Sequence, residues 1–443
     1  ADWRLFLEQY HGFSFIDLTP RLYFPPFPLT ALLTQEQRPP YQISLPHTDE
    51  LNGPDWFSAL AEVQRRLNSR TSERERKYLA LTYADLLYRL GNRRAALEQF
   101  SLLRKNYEDT AIGKIAAYAH TVIEAQKGHL YKAQILLDRA LGQETEKSPL
   151  ASLIRLSLAE CFLATGQNMK AQPYLEEPIV PTEKAALRRD IRRADLFFAT
   201  KRFQQAAIIL ASHADSIDLD RQPYSLNNYC TLLYRQEEFE ESAHCYERLG
   251  NILVDREKQA QARYLSALSH LQSEDKLAAD NIFEELSKSF PGSKAAWRAE
   301  IKQADLCYLR QPDCRREALN IYQKVAESSI SRDISQEAHF KAAVINYLSG
   351  DDRKAVAELD DLLRNYQSGG LRSEAQALLI AALPNVLSEL LEQNQDIAAL
   401  SLAQQNRFLF LNDWIDHSFL FQLGLAFERL SLNHDALNLL LYL

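Results

Sequence analysis

Residues 78–106 read YLALTYADLLYRLGNRRAALEQFSLLRKN, and their pattern decides the fold. Tyr83, Ala84 and Leu87 lie at helical spacing, Gly91 interrupts them, and Ala96, Phe100 and Leu103 form a second stripe at spacings of four and three. Each stripe puts apolar side chains on one side of a helix, so the segment is a helical hairpin whose two stripes face each other. Ala84 and Ala96 fall where the helices cross, and a side chain that small lets the backbones approach to an ordinary interaxial distance.

The same grammar returns along the chain. Small residues stand at Ala59, Ala96, Ala133, Ala171, Ala206, Ser242, Ala279, Ala318, Ala355, Ala399 and Ala436, at intervals of 35 to 39 apart from one interval of 44. A fixed period in this range signals stacked supersecondary units, each burying its face against two neighbours. Ala267, Ala279 and Phe283 followed by Pro291-Gly292 form a second clear hairpin, and Leu423-Gly424, Phe427 and Ala436 a third. An all-α chain of about ten hairpins follows, and 13 Gly and 16 Pro in 443 residues suit it.

This small–large pattern, with Gly in the turn and Pro after the second helix, resembles the tetratricopeptide repeat over residues 54–443. Within that family it resembles bacterial envelope and periplasmic members. The resemblance implies a right-handed α-α superhelical solenoid. The intervals exceed the family's usual length of about 34, so longer turns between hairpins are expected. Two departures stand out: an enlarged turn at Gln311–Arg316 and an extended or irregular helix at residues 372–392.

Residues 1–53 are of another kind. Pro20, Pro25, Pro26, Pro28, Pro39, Pro40 and Pro46 forbid long helices, and Phe13–Leu18 alternates in part like a strand. Trp3, Phe6, Tyr10, Phe13, Phe15, Tyr23, Phe24 and Phe27 are too apolar for a solvated linker. We read an extended arm that packs along the first hairpins as a cap, the alternatives being the tail of a preceding domain or an arm that docks a partner. At the other end Leu437–Leu443 is an apolar half-helix with no polar capping helix after it, so either the chain continues or this face meets a partner.

A net charge of −8 from 51 basic and 59 acidic residues argues against nucleic-acid binding by the chain as a whole. No apolar stretch is expected to span a bilayer. The sequence holds no phosphate loop, dinucleotide fingerprint, HExxH or GxSxG motif. Its ten His lack metal-ligand spacing with one another or with Cys, and Asp351-Asp352 and Asp360-Asp361 read as surface acids. We therefore expect no catalytic residue, no metal site and no cofactor. Of five Cys, Cys230 takes the small crossing position as a small hydrophobe; Cys307 and Cys314 flank the enlarged turn, where a hairpin-closing disulfide would imply an oxidising compartment and the alternative is two separate thiols.

Surface recognition remains. In a tetratricopeptide-like array the first helix of each hairpin lines the concave face, and the resemblance then places inward Tyr78, Asp85, Tyr88, Arg89 and Tyr118, then Arg188, Arg192 and Phe198. Tyr224, Asn227, Asn228, Tyr234 and Arg235 follow, then Tyr264, Arg298, Lys302, Tyr308, Phe340, Lys341 and Tyr347. The partner-binding set drawn from these is Tyr88, Arg188, Arg192, Tyr224, Asn227, Asn228, Tyr234, Arg235, Tyr264, Arg298, Lys302 and Lys341. Tyr supplies contact area at small entropic cost, and Arg or Asn satisfies backbone or carboxylate groups of an extended ligand. Arg188 and Arg192, one helical turn apart, form a positive stripe that either grips an acidic segment or is neutralised by acids of neighbouring hairpins. Asn228 matches one place of the family's carboxylate-gripping pattern, but the accompanying Lys are missing.

The expected function is a non-enzymatic scaffold binding a partner protein or extended peptide, in assembly or organisation of a bacterial envelope complex. The alternatives are a peptide-gated cytoplasmic regulatory module, or the adaptor region of a larger export, pilus or polysaccharide-secretion protein. The expected compartment is the periplasm or envelope, with the cytoplasm as alternative. Partner identity and oligomeric state do not follow from the residues.

Overall fold

The structure is a computed structural model, and it describes residues 3, 6–7, 16–39, 54–145, 148–176, 182–327, 331–366, 370–411 and 417–442. Tyr10, Phe13, Phe15, Pro40 and Pro46 lie outside these residues, as do the side chains of 440–443 at the end of the apolar half-helix. The chain divides into two compact units, one of Asp17–Ile252 and one of Leu253–Leu443 with Ala1–Ile16.

In the first unit, α1 (Pro54–Leu67) leads into five hairpins: α2 (Glu73–Arg89) with α3 (Arg93–Asn106), α4 (Ala111–Gln126) with α5 (Leu130–Leu141), α6 (Pro149–Ala164) with α7 (Asn168–Glu176), α8 (Glu183–Ala199) with α9 (Phe203–Ala211), and, after the short α10 (Ile217–Asp220), α11 (Pro223–Arg235) with α12 (Phe239–Ile252). The second holds α13 (Arg256–Gln272) with α14 (Lys276–Ser289), α15 (Lys294–Arg310) with α16 (Arg315–Glu327), α17 (Arg332–Leu348) with α18 (Asp352–Asn365), and α19 (Arg372–Glu392) with α20 (Asp396–Gln405). The short α21 (Arg407–Leu411) then precedes α22 (His417–Arg429) with α23 (Asn433–Tyr442). Ten hairpins are thus present among the described residues, each packed helix to helix, and no strand is present among them.

Within each unit the first helices of successive hairpins also touch: α2 meets α4, α4 meets α6, α6 meets α8 and α8 meets α11 in one unit, α13 meets α15, α15 meets α17 and α17 meets α19 in the other. They form a continuous layer, with the second helices behind. All eleven small-residue marks are buried, and Ser242 Oγ donates to the Cys230 carbonyl at 3.2 Å, which places the mark of one helix directly against the small residue of its partner.

The turns share one backbone solution. In nine of the ten hairpins a residue five positions before the mark has positive φ: Gly91, Gly128, Gly166 and Gly350, but also Lys201, Glu237, Glu274, Asn394 and Ser431. The next amide commonly donates back five residues, as Asn92 to Leu87, Arg202 to Phe197, Glu238 to Leu233 and Leu432 to Phe427. This left-handed closure satisfies the orphan carbonyls of the first helix. The exception is the enlarged turn at 311–316, where Pro312–Cys314 forms a 3-10 turn instead.

The structure pairs Cys307 with Cys314 across that turn, Cα atoms 5.9 Å apart, and also Cys230 with Cys245, Cα atoms 5.3 Å apart. The second pairing corrects the reading of Cys230 as a lone small hydrophobe, because the hairpin crossing carries Cys245 of α12 onto it. Cys161 is free and buried. The segment 372–392 is a single helix of 21 residues with Pro384 inside it. It is long and apolar enough by length and composition to cross a membrane, which departs from the expectation of no such stretch. Its Leu378, Leu379, Leu383 and Leu387 are buried in the repeat core, which accounts for the apolar run.

Candidate functional site

The first-helix layer of the unit Asp17–Ile252 holds an extended segment of the chain itself. Residues 17–28 have no helix, as their prolines require, and they run across α2, α4, α6 and α8. Leu22, Phe24, Phe27 and Leu29 are buried in the same apolar core as Leu81, Ala84, Ile115 and Leu153. Phe24 stacks on Tyr88 with ring centroids 3.9 Å apart.

Polar side chains of the layer grip this segment by its backbone. Asp85 accepts from the Leu29 amide at 2.9 Å and from Arg89 Nε at 2.9 Å; Arg89 Nη2 donates onward to the carbonyls of Phe27 at 2.6 Å and Pro25 at 3.2 Å. Gln126 donates to the Leu22 carbonyl at 3.0 Å while accepting from Tyr88 Oη at 2.9 Å. Glu160 accepts from the Tyr23 amide at 3.3 Å. An extended segment has no internal partners for these groups, so each bond removes a desolvation cost that burial would otherwise impose.

Beneath Tyr23 lies a buried ionic network. Arg188 binds Glu160 through two nitrogens, Nε at 2.7 Å and Nη2 closer still. Arg192 donates to Glu160 at 3.1 Å, to Asp195, to Ser225 Oγ at 2.9 Å and to Gln222 at 2.6 Å. Asp195 also accepts from Ser225 at 2.8 Å and Asn228 at 2.9 Å. The Tyr23 ring sits over the Arg192 guanidinium, 4.9 Å from its centroid. Burial raises the Asp195 and Asp85 carboxyls above their usual range, opposed by the neighbouring Arg192 and Arg89 respectively. Burial also pushes the Tyr118 hydroxyl up to about 12.

The structure distributes the expected partner-binding residues unevenly. Arg188 and Arg192 are neutralised by Glu160 and Asp195 from this and the neighbouring hairpin; Tyr88 lies under Phe24, and Asn228 holds Asp195. Asn227 is buried, Tyr224 is half-buried, Tyr234 packs edge-on against Phe239, and exposed Arg235 lies over the Phe203 ring. Tyr264, Arg298, Lys302 and Lys341 belong to the other unit. There Tyr264 packs on Phe283, Arg298 pairs with Asp333, Lys341 binds Asp305 at 2.6 Å, and Lys302 donates to the Leu7 carbonyl at 3.0 Å. Trp3 and Phe6 set their ring edges against Phe340 beside it. Both described stretches of the arm thus lie on first helices. Glu160, Asp195 and Gln126 escaped the sequence reading. The signal for Glu160 is a lone carboxylate inside the apolar run Leu156–Ala164.

These features define a tandem array of helical hairpins whose first helices form one continuous layer in each unit. No protein-family model and no curated protein sequence matches the chain. Among solved structures it is similar to the human IFIT1 dimer with PPP-AAAA, at 14% identity over 88% of this chain and 95% of that one with a TM-score of 0.29. The same IFIT1 dimer with m7Gppp-AAAA gives 12% identity, 88% and 94% coverage, and a TM-score of 0.29. Naa15/Naa10 bound to HypK-THB gives 16% identity over 87% of this chain and 62% of that one, with a TM-score of 0.26.

Proposed function

We propose that the protein is a non-catalytic scaffold whose first-helix face binds an extended segment of a partner protein. One observation carries this reading: Asp85, Arg89, Gln126 and Glu160 hold residues 22–29 by main-chain amides and carbonyls, the groups every peptide presents, while the aromatic side chains fill apolar sites. That is the chemistry of extended-peptide recognition. We assign the scaffold to a bacterial envelope complex. The tetratricopeptide resemblance supports that assignment, and the Cys230–Cys245 and Cys307–Cys314 pairs favour an oxidising compartment.

The test uses a fluorescein-labelled peptide of residues 21–33, RLYFPPFPLTALL. In the wild-type full chain the tethered arm competes at an effective concentration of roughly millimolar. A full-length Tyr23→Ala/Phe24→Ala/Phe27→Ala variant with unchanged helical circular dichroism should bind the peptide at least about tenfold more tightly than wild type. A folded variant that ignores the peptide would refute peptide recognition by this face.

A further inference from the structure

A cavity of about 780 Å³ opens beside the arm in the unit Asp17–Ile252, bounded by residues 19–26, the turns after α2 and α4, the start of α8 and the approach to α11. Its walls carry Arg21, Arg89, Arg93, Lys184, Arg188 and Arg221, and no described carboxylate lines it. In a chain of net charge −8 such a concentration of one sign is a local feature and runs against the average.

Of these cations, Arg89 and Arg188 are matched to Asp85 and Glu160, and Lys184 and Arg221 also engage other residues. Yet Nη1 of Arg188, a residue 4% exposed, has no hydrogen-bond acceptor. Arg21 and Arg93 are exposed, and neither has a carboxylate partner among the described residues; the Arg93 guanidinium lies 6.0 Å from the centroid of the Tyr88 ring. Like charges gathered around a concave, partly apolar wall repel one another and focus a positive potential into the space between them. A multivalent anion relieves that repulsion, and guanidinium forks match the paired oxygens of phosphate and carboxylate groups. The volume suits a metabolite-sized ligand and exceeds what one inorganic ion would fill. Phe24, Pro25 and Tyr88 supply an apolar wall for a carbon skeleton.

We infer that this cavity is a binding site for a small organic polyanion carrying at least two phosphate or carboxylate groups. The site is complete with the arm in place, so it stands apart from the peptide-binding reading, and failure of the peptide experiment leaves it intact.

The experiment is isothermal titration of the full chain at pH 7.5 and physiological salt with two probes, inorganic triphosphate and citrate. The comparison protein is the Arg21→Glu/Arg93→Glu variant, whose exposed substitutions leave the arm's hydrogen bonds untouched. A Lys105→Glu/Lys276→Glu variant, exposed and away from the cavity walls, makes the same change in formal charge. The expected result is one-to-one binding of at least one probe to wild type, weakened at least about tenfold by the cavity pair and left within about twofold by the control pair. Binding of triphosphate alone assigns a phosphate ligand and binding of citrate alone a carboxylate ligand. No saturable binding of either probe, or equal loss in both variants, overturns the inference.

Discussion

Arg192 offers the sharpest test of how the face is built. Its side chain is fully buried, and it is the cation shared by Glu160 and Asp195 from two successive hairpins. Arg192→Ala leaves Glu160 with Arg188, whereas Asp195 keeps only Ser225 and Asn228 as donors. A buried charge stripped of its partner costs about 3–5 kcal/mol, well above the few tenths typical of a surface pair. The loss should also depend on pH. Burial already raises Asp195 in the folded state, and without Arg192 the principal opposing influence disappears. A carboxyl whose folded pKa is raised contributes stability that is full below its unfolded pKa, about 3.9, and is lost as pH rises through the folded value. The deficit of Arg192→Ala relative to wild type should therefore be greatest near pH 7.5 and shrink toward pH 4. Urea unfolding of both proteins, followed by circular dichroism at the two pH values, measures it. The double variant Arg192→Ala/Asp195→Ala should cost less than the sum of the single changes. A loss under about 1 kcal/mol at pH 7.5, or an equal loss at both pH values, would refute the account of Arg192 as the cation that makes this carboxylate tolerable.

Three further outcomes follow from the same structure. Glu274→Gly and Lys201→Gly should each stabilise by about 0.5–1 kcal/mol in thermal unfolding, because an L side chain in the left-handed region costs about 1–2 kcal/mol and glycine returns part of that as chain entropy; Gly91→Ala, with open space around its Cβ, should destabilise through backbone strain alone. Thiol titration of the denatured, unreduced chain should find one reactive thiol, Cys161, and five after reduction, whereas five at the outset would disprove both pairings. Arg89→Ala removes the donor to Pro25 and Phe27 and exposes the arm to limited proteolysis within residues 17–39; an unchanged cleavage rate would show that Arg89 does not anchor it.

The hairpins were legible because their determinant is local. A buried Ala or Ser every few dozen residues reflects one steric requirement repeated eleven times. The turns were legible only where glycine fills the left-handed position. At Lys201, Glu237 and Glu274 the same backbone is held by flanking helices and hydrogen bonds, and the side chain gives no sign of it. The Arg188–Arg192 stripe was visible, but its partner Glu160 is 28 residues from Arg188 on another hairpin, and helical periodicity does not report pairing between repeats. The prolines excluded helix from the arm. They carry no period that specifies which surface it meets, so its course over four hairpins had to come from three-dimensional contacts.

The course of the arm also sets an order of events at the ribosome. Tyr23 is synthesised 137 residues before Glu160, its amide's acceptor, and at about 5–20 residues per second that separation lasts roughly 7–30 seconds. Through that interval the apolar stretch from Leu22 to Leu33 has been made before the last of the helices that later cover it. Completion of the first-helix layer, rather than emergence of the arm, therefore times the closing of this half of the molecule, and the nascent arm is for those seconds a natural client for a chaperone that binds extended apolar chain.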